Sequence, residues 1–189
     1  MTFTPTFDDK ADALLNTNPF ALLLAMMLDQ QIPLQRAFMG PYLLEQRLNA
    51  RLTPKLINKM DTLELVSVFC ESPSLHRFPK SMAERAKSLT ETVIKEFNSN
   101  VELIWDKNLP AEQILINIKS LPGFGEQKAK IFLALLAKQF NIKPSNWQKV
   151  CDPYGTKNVY LSVADIDSEL AYHKVREMKK SLKAQSTKS

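Results

Sequence analysis

Cysteine and glycine are both scarce in this chain: two of the first and four of the second in 189 residues. Cys70 and Cys151 lie far apart and form no C-x-x-C pair, which excludes a disulfide framework, a zinc site and a four-cysteine iron–sulfur loop, and fits a reducing compartment. The two histidines add little. His76, in SLHRFP, reads as an exposed loop residue, with the lining of a pocket as its alternative, and His173 falls on the polar side of a final helix. The longest unbroken apolar run, Phe20 to Leu28, is half of what a bilayer span requires, and Met1 to Lys10 lacks the basic start of a signal peptide. The expectation is a cytoplasmic protein with no membrane partner. Strand patterning is almost absent too, and without it a sheet-based architecture has nothing to build on.

What remains is a string of helices. Asn18 is a good N-cap and Pro19 suits the first helical position, opening an apolar helix FALLLAMMLDQQ that should end near Ile32-Pro33. A second helix is expected over Pro41 to Leu48, a short one after Thr53-Pro54, and another from Asp61 to Cys70 with Glu64 placed for a capping pair. Glu71 to Pro79 reads as a loop. Ser81 with Glu84 forms an S-x-x-E signature, after which Met82, Ala86, Leu89, Val93 and Phe97 line one face. A short helix at Pro144 to Val150, a turn at Asp152 to Gly155 and a last helix capped by Asp167 or Ser168 complete the chain. In that last helix Leu170, Ala171, Val175, Met178 and Leu182 share a face. The fold class is therefore all-α, about ten helices. No repeat and no long low-complexity linker is present.

Two of the four glycines fall in one turn. In LPAEQILINIKSLPGFGEQKAKIFLALLAKQF, Ile114, Leu115, Ile118 and Leu121 recur at helical spacing, Pro122 to Gly125 stops the run, and a nearly apolar helix restarts at Glu126. Such a helix, turn, helix unit, residues 110–140, leaves the first amides of its second helix facing outward as an anion site of phosphate size. A dinucleotide-binding loop would need a preceding strand and a third glycine, and residue 128 is a lysine. The alternative of a plain αα-hairpin with a glycine turn stays open on the turn alone.

Charge is distributed unevenly. Residues 1 to 118 carry 12 Lys+Arg against 14 Asp+Glu, whereas residues 119 to 189 carry 13 against 6, so the net +5 is concentrated from the hairpin onward. A polyanion partner suits that bias, since phosphates neutralised by Lys and Arg release counterions. Part of the excess belongs to the tail KKSLKAQSTKS.

The order of these pieces resembles the helix-hairpin-helix DNA glycosylases of the endonuclease III superfamily, over roughly residues 18 to 180. LPGFGEQKAKIFLAL looks like that superfamily's hairpin, and LLLAMMLDQQIPLQRA like its early helix ending in a Gln-Gln element, closest to the alkylated-base branch. FPKSMAERAKSLTETVIKEF stands where the family carries a basic helix, and the acidic loop after the hairpin stands where it keeps a catalytic aspartate. The resemblance implies a two-lobed helical domain over 18–183, preceded by an N-terminal segment 1–17 and followed by a basic tail 184–189. It further implies a base excision repair enzyme that acts as a monomer on double-stranded DNA, is nucleoid-associated, and needs no metal or other cofactor.

Chemistry narrows the candidates. Base removal builds oxocarbenium character on the sugar, so a carboxylate near the anomeric carbon is required, and the base must leave the stack to be reached. The family's usual spacing for the aspartate falls near Ser145 to Trp147, where this chain has no acid. Asp165 in SVADI is the first choice by loop order, with Asp152 as rival and Asp167 better explained as a cap. DNA contacts are expected from Gln30, Gln31, Gly123, Phe124, Gly125, Gln127 and Lys128. The lysine that forms a Schiff base in bifunctional members is replaced here by Gln127. Lys128, one residue on, is turned about 100° away on a helix and should aim its amine elsewhere. The expected activity is thus a monofunctional glycosylase without strand cleavage; the alternative is a non-catalytic DNA-binding protein that keeps the hairpin. Trp105 and Trp147 read as core, with stacking on a flipped base as the alternative.

Overall fold

The computed structural model describes residues 3–157 and 159–186, with the side chains of the last helix described as far as Ser181. Among the described residues it is all-α, with ten helices and no strand. The helices are α1 (Asp9–Thr17), α2 (Pro19–Leu28), α3 (Leu34–Leu48), α4 (Pro54–Lys59), α5 (Thr62–Cys70), α6 (Pro79–Glu96), α7 (Ala111–Lys119), α8 (Glu126–Gln139), α9 (Trp147–Val150) and α10 (Glu169–Ser186). Short 3-10 turns at Val101–Trp105 and Val163–Asp165 complete it. No single described helix is long and apolar enough to cross a membrane.

Two apolar helices organise the rest. Every residue of α2 from Phe20 to Leu28 is buried, and α8 buries the run Phe132 to Ala137. Asn18 caps α2 as its side chain dictates, accepting from the amides of Phe20 (3.0 Å) and Ala21 (3.3 Å), while its own amide donates to Leu52. Around α2 pack α1, α3 and α6, and α8 lies against α7, α9 and the turn at Val163–Asp165. Phe3 brings the N-terminal stretch into this core, edge-on to Phe38 and Phe140 at 5.7 Å each. Trp105 and Trp147 are core residues, Trp105 meeting Phe132 edge-on at 5.2 Å.

Several boundaries differ from the sequence reading. α1 was not anticipated; Asp8 caps it from within a segment of mixed polarity. α2 stops at Leu28, three residues before the Gln-Gln element ends. α3 begins at Leu34 and runs through Pro41 rather than starting there; Gly40 and Pro41 are buried together mid-helix. α6 starts at Pro79, with the proline at its first turn, so Ser81 and Glu84 fall inside the helix and form no capping box. In α10, Ala171 and Val175 face the core, but Leu170 is 65% exposed and Met178 lies at the surface as well. Leu182 and the tail side chains lie outside the described residues.

Candidate functional site

The hairpin is where the two organising helices meet. Gly123 has φ +90°, a backbone that side-chain-bearing residues rarely adopt, and a Cβ there would come within 2.8 Å of Arg85 Cδ and 3.2 Å of Met27 Cγ. The turn between α7 and α8 therefore presses directly on α6 and on the end of α2. Phe124 is buried against Phe132, with ring centroids 5.9 Å apart, and pins the turn. Gly125 is different: it has ordinary φ, caps α8 without a side-chain bond, and has open space where a Cβ would project. The first α8 amide with a backbone acceptor is that of Ala129, on the Gly125 carbonyl. The amides before it point outward. Glu126, the acid best placed to compete for them, is instead paired with Lys119 and, at 3.6 Å, with Lys130.

Beside the hairpin opens a cleft of about 1240 Å³, bounded by the α2–α3 connection, the start of α8, Pro153-Tyr154 and the inner side of α10. Among the described residues one carboxylate lines it, Asp29, at the C-terminal end of α2; the cations that line it are Arg77, Lys128, Arg176, Lys179 and Lys180. Burial pushes the Asp29 carboxyl above its usual range, and the charges of Lys179 and Lys128 only partly oppose that. No hydrogen bond among the described residues supports the Asp29 carboxylate. Lys128 donates to the Met27 carbonyl at 3.0 Å, one of the carbonyls that the end of α2 leaves open, and lies 5.8 Å from the Phe124 ring centroid. Burial pulls its ammonium down to about 8, with Asp29 raising it and Arg85 lowering it further. A lysine and an aspartate with opposed burial shifts thus share one mostly apolar cleft.

Lys128 corrects one expectation. Its amine does face the site, because the cleft wraps the α8 N-terminus and both Gln127 and Lys128 line it. Gln127 donates to the Tyr154 hydroxyl at 2.9 Å. Of the Gln-Gln element, Gln30 is tied down: its amide nitrogen donates to the Met27 carbonyl at 2.9 Å and its oxygen accepts from Arg85 at 3.0 Å. Gln31 is exposed, in a left-handed conformation at φ 56°, as the tip of the connection.

The aspartates chosen from sequence are not on this cleft. Asp165 closes a capping box with Ser162, accepting from the amides of Leu161 (2.9 Å) and Ser162 (3.1 Å), and pairs with Lys138 at 2.6 Å with its side chain only 6% exposed. Both its oxygens are engaged in holding the chain after α9 onto α8. Asp152 is exposed, and Asp167 is exposed and accepts from the Ser168 hydroxyl, while Ser168 caps α10. Asp29 went unnoticed because LLLAMMLDQQ reads as an apolar helix with a polar end; the usable signal was a lone acid at the close of a fully apolar run.

His76 is the second surprise, being fully buried. Its Nδ1 accepts the Phe78 amide at 3.0 Å, so in the neutral ring Nε2 carries the hydrogen and donates to the Gln30 carbonyl at 2.9 Å. The imidazole thus couples the loop before α6 to the Gln-Gln element. Burial holds its pKa below 6.5, with Arg36 and Lys128 acting in the same direction. The unfolded chain then binds more protons than the folded one below pH 6.5, so the stability that His76 supplies is complete above that pH and is lost as pH falls. Stability should fall between pH 7 and 5 with a slope of up to about 1.4 kcal/mol per pH unit, read as a lower melting temperature, and His76→Gln should flatten that slope. An unchanged slope in the variant assigns the acid sensitivity to other groups.

No family model, curated protein or solved structure matches this chain.

Proposed function

We propose that the chain is a DNA glycosylase of the helix-hairpin-helix kind, hydrolysing the N-glycosidic bond of a damaged base in double-stranded DNA, with Asp29 as the reactive carboxylate. The observation that carries this reading is the single unsupported carboxylate among five cations in a cleft beside outward-facing helix amides. Five cations suit a phosphate backbone, and one carboxylate among them suits a reaction that builds positive charge. With the base extruded, the C1′–N bond breaks and its electron pair leaves on the base. The Asp29 carboxylate stabilises the oxocarbenium-like sugar and takes a proton from the water that adds to C1′. Tyr154, half-buried on the cleft wall, offers a face for an extruded base, and Gln31 is the exposed tip that fills the gap in the stack.

A second reading is favoured by Lys128. An amine brought down to about 8 is substantially neutral near that pH and can attack C1′ to form a Schiff base, which leads to strand cleavage. Against it stands the hydrogen bond of the amine to the Met27 carbonyl, which would have to be released. Single-turnover reactions on duplexes carrying alkylated, deaminated or oxidised bases separate the outcomes. Base release with strands intact until alkali, and nothing trapped by borohydride, is the expected result. A borohydride-stable adduct lost in Lys128→Ala gives the bifunctional enzyme, and duplex binding with inactivity on every lesion gives the non-catalytic binding protein.

A further inference from the structure

The inward face of α10 changes character part-way along the helix. Residues Tyr172, Val175, Arg176, Lys179 and Lys180 follow i, i+3, i+4, i+7, i+8, a single helical face, and all five line the cleft. Tyr172 and Val175 are buried, and the Tyr172 hydroxyl donates to Gln35 at 3.1 Å near the start of α3, which fixes the rotation of the helix. Beyond Val175 the same face carries three cations where a helix packed on a core carries apolar residues.

Neutralising Asp29 does not account for all of them. Its charge is opposed first by Lys179 and then by Lys128, so one carboxylate already has two cations beside it and leaves Arg176 and Lys180 without one. Among the described residues no carboxylate comes within ion-pair distance of Arg176, Lys179 or Lys180. All three are exposed, where water and salt weaken their mutual repulsion, and an anion between α10 and α8 would offset what remains. From Arg176 to Lys180 the helix advances about 6 Å, at 1.5 Å per residue, which matches about two steps of 3.4 Å between successive phosphates of one strand along a duplex axis.

We infer that Arg176, Lys179 and Lys180 form a second phosphodiester-binding surface, which grips the backbone of the reacting strand across the cleft from the hairpin. The inference rests on the proposed DNA reading and adds the far half of the grip. Two anchored points flanking Asp29 hold the strand bent around the cleft, so that the nucleotide between them is the one drawn inward.

The test is duplex binding by fluorescence anisotropy across a potassium chloride series, with melting temperatures as controls. Lys179→Gln/Lys180→Gln should flatten the plot of log affinity against log salt by about 1.8, or about 0.9 per phosphate contact, and Arg176→Gln by about 0.9. Lys179→Arg/Lys180→Arg should restore the slope. A folded double variant with the slope of the wild type overturns the inference while leaving the DNA reading in place. A wild type that binds no duplex removes both. Vesicles of mixed phosphatidylserine and phosphatidylcholine form the other arm: if the double variant loses vesicle binding yet keeps its duplex slope, the face belongs to a membrane surface and the inference fails.

Discussion

Asp29→Asn is expected to slow base release by about two to four orders of magnitude while raising the melting temperature. The first half follows from charge: asparagine keeps the size of the side chain and its place in the cleft, but removes the negative charge facing the developing oxocarbenium ion. Loss of one such group is worth about 3–5 kcal/mol of barrier. The second half follows from the raised pKa. A carboxyl shifted upward by burial is less at ease ionised in the folded state than in the unfolded chain, so at neutral pH it costs stability that the amide does not. Lys128 should respond as well, since Asp29 is the group raising its pKa, and without it the amine falls further below about 8. Duplex affinity should hold or increase, because one negative charge leaves a cleft of five cations. In the wild type the acid limb of the rate profile should lie above the ordinary carboxylate value of 3.8, in keeping with the direction of the Asp29 shift. Single-turnover kinetics and thermal melts on the same preparations decide the matter. An active Asp29→Asn would remove this carboxylate from the chemistry.

Asp165→Asn is the informative contrast. Its charge sits in a pair with Lys138 and in a capping box, so its loss should lower stability by about 2–3 kcal/mol, or several degrees in melting temperature, with little direct effect on base release. A variant that is dead but more stable beside one that is active but less stable would place reactivity at the end of α2 and architecture after α9. The opposite pattern would return the role to the loop chosen from sequence.

The way the sequence misled on these two aspartates is instructive. Ser162-x-x-Asp165 is a capping box in plain sight, a local pattern with a local explanation, yet loop order relative to the hairpin drew attention to it as a reactive group. Asp29 has no local pattern at all. Its significance comes from Lys128, whose amine reaches the α2 end from 101 residues along the chain, and from Lys179, farther still. His76 fails in the same way: nothing in SLHRFP reveals that the Gln30 carbonyl waits 46 residues upstream. What was legible had short-range causes. Asn18-Pro19 set the start of α2, and Pro122 to Gly125 punctuated two periodic runs, so the hairpin falls within a residue or two of its expected bounds. The α3 start was lost because Pro41 is a reliable breaker only where packing does not hold the helix together, and here Gly40 and Pro41 are both in the core. The 100° argument about Lys128 was sound geometry applied to a flat surface. A cleft that wraps a helix end is lined by consecutive residues, and a four-carbon stem covers the difference.

Gly125→Asp should weaken duplex binding by about 10- to 100-fold without harming the fold. The usual objection to replacing a hairpin glycine does not apply at this position: φ is −82°, nothing lies within 4 Å of the added Cβ, and the residue caps α8 without a side-chain bond. Aspartate is among the best N-caps, so α8 should gain about 0.3 kcal/mol over glycine. That gain is the mechanism of the loss, because the new carboxylate accepts from the amides that would otherwise face a phosphate and adds a negative charge at the same point. A charge-assisted contact of this kind is worth about 1.5–3 kcal/mol. Gly125→Ser occupies the amides without the charge and should fall between the aspartate variant and wild type, whereas Gly125→Ala leaves them open and should bind nearly as wild type does. Gly123→Ala is the structural counterpart: φ +90° and the contacts with Arg85 and Met27 should make it unstable, whatever the hairpin binds. Anisotropy titrations of the Gly125 series at two salt concentrations read the result directly. Equal affinity across glycine, alanine, serine and aspartate, in proteins that melt at or above the wild-type temperature, would take the hairpin amides out of the interface and leave the cleft cations to hold the duplex alone.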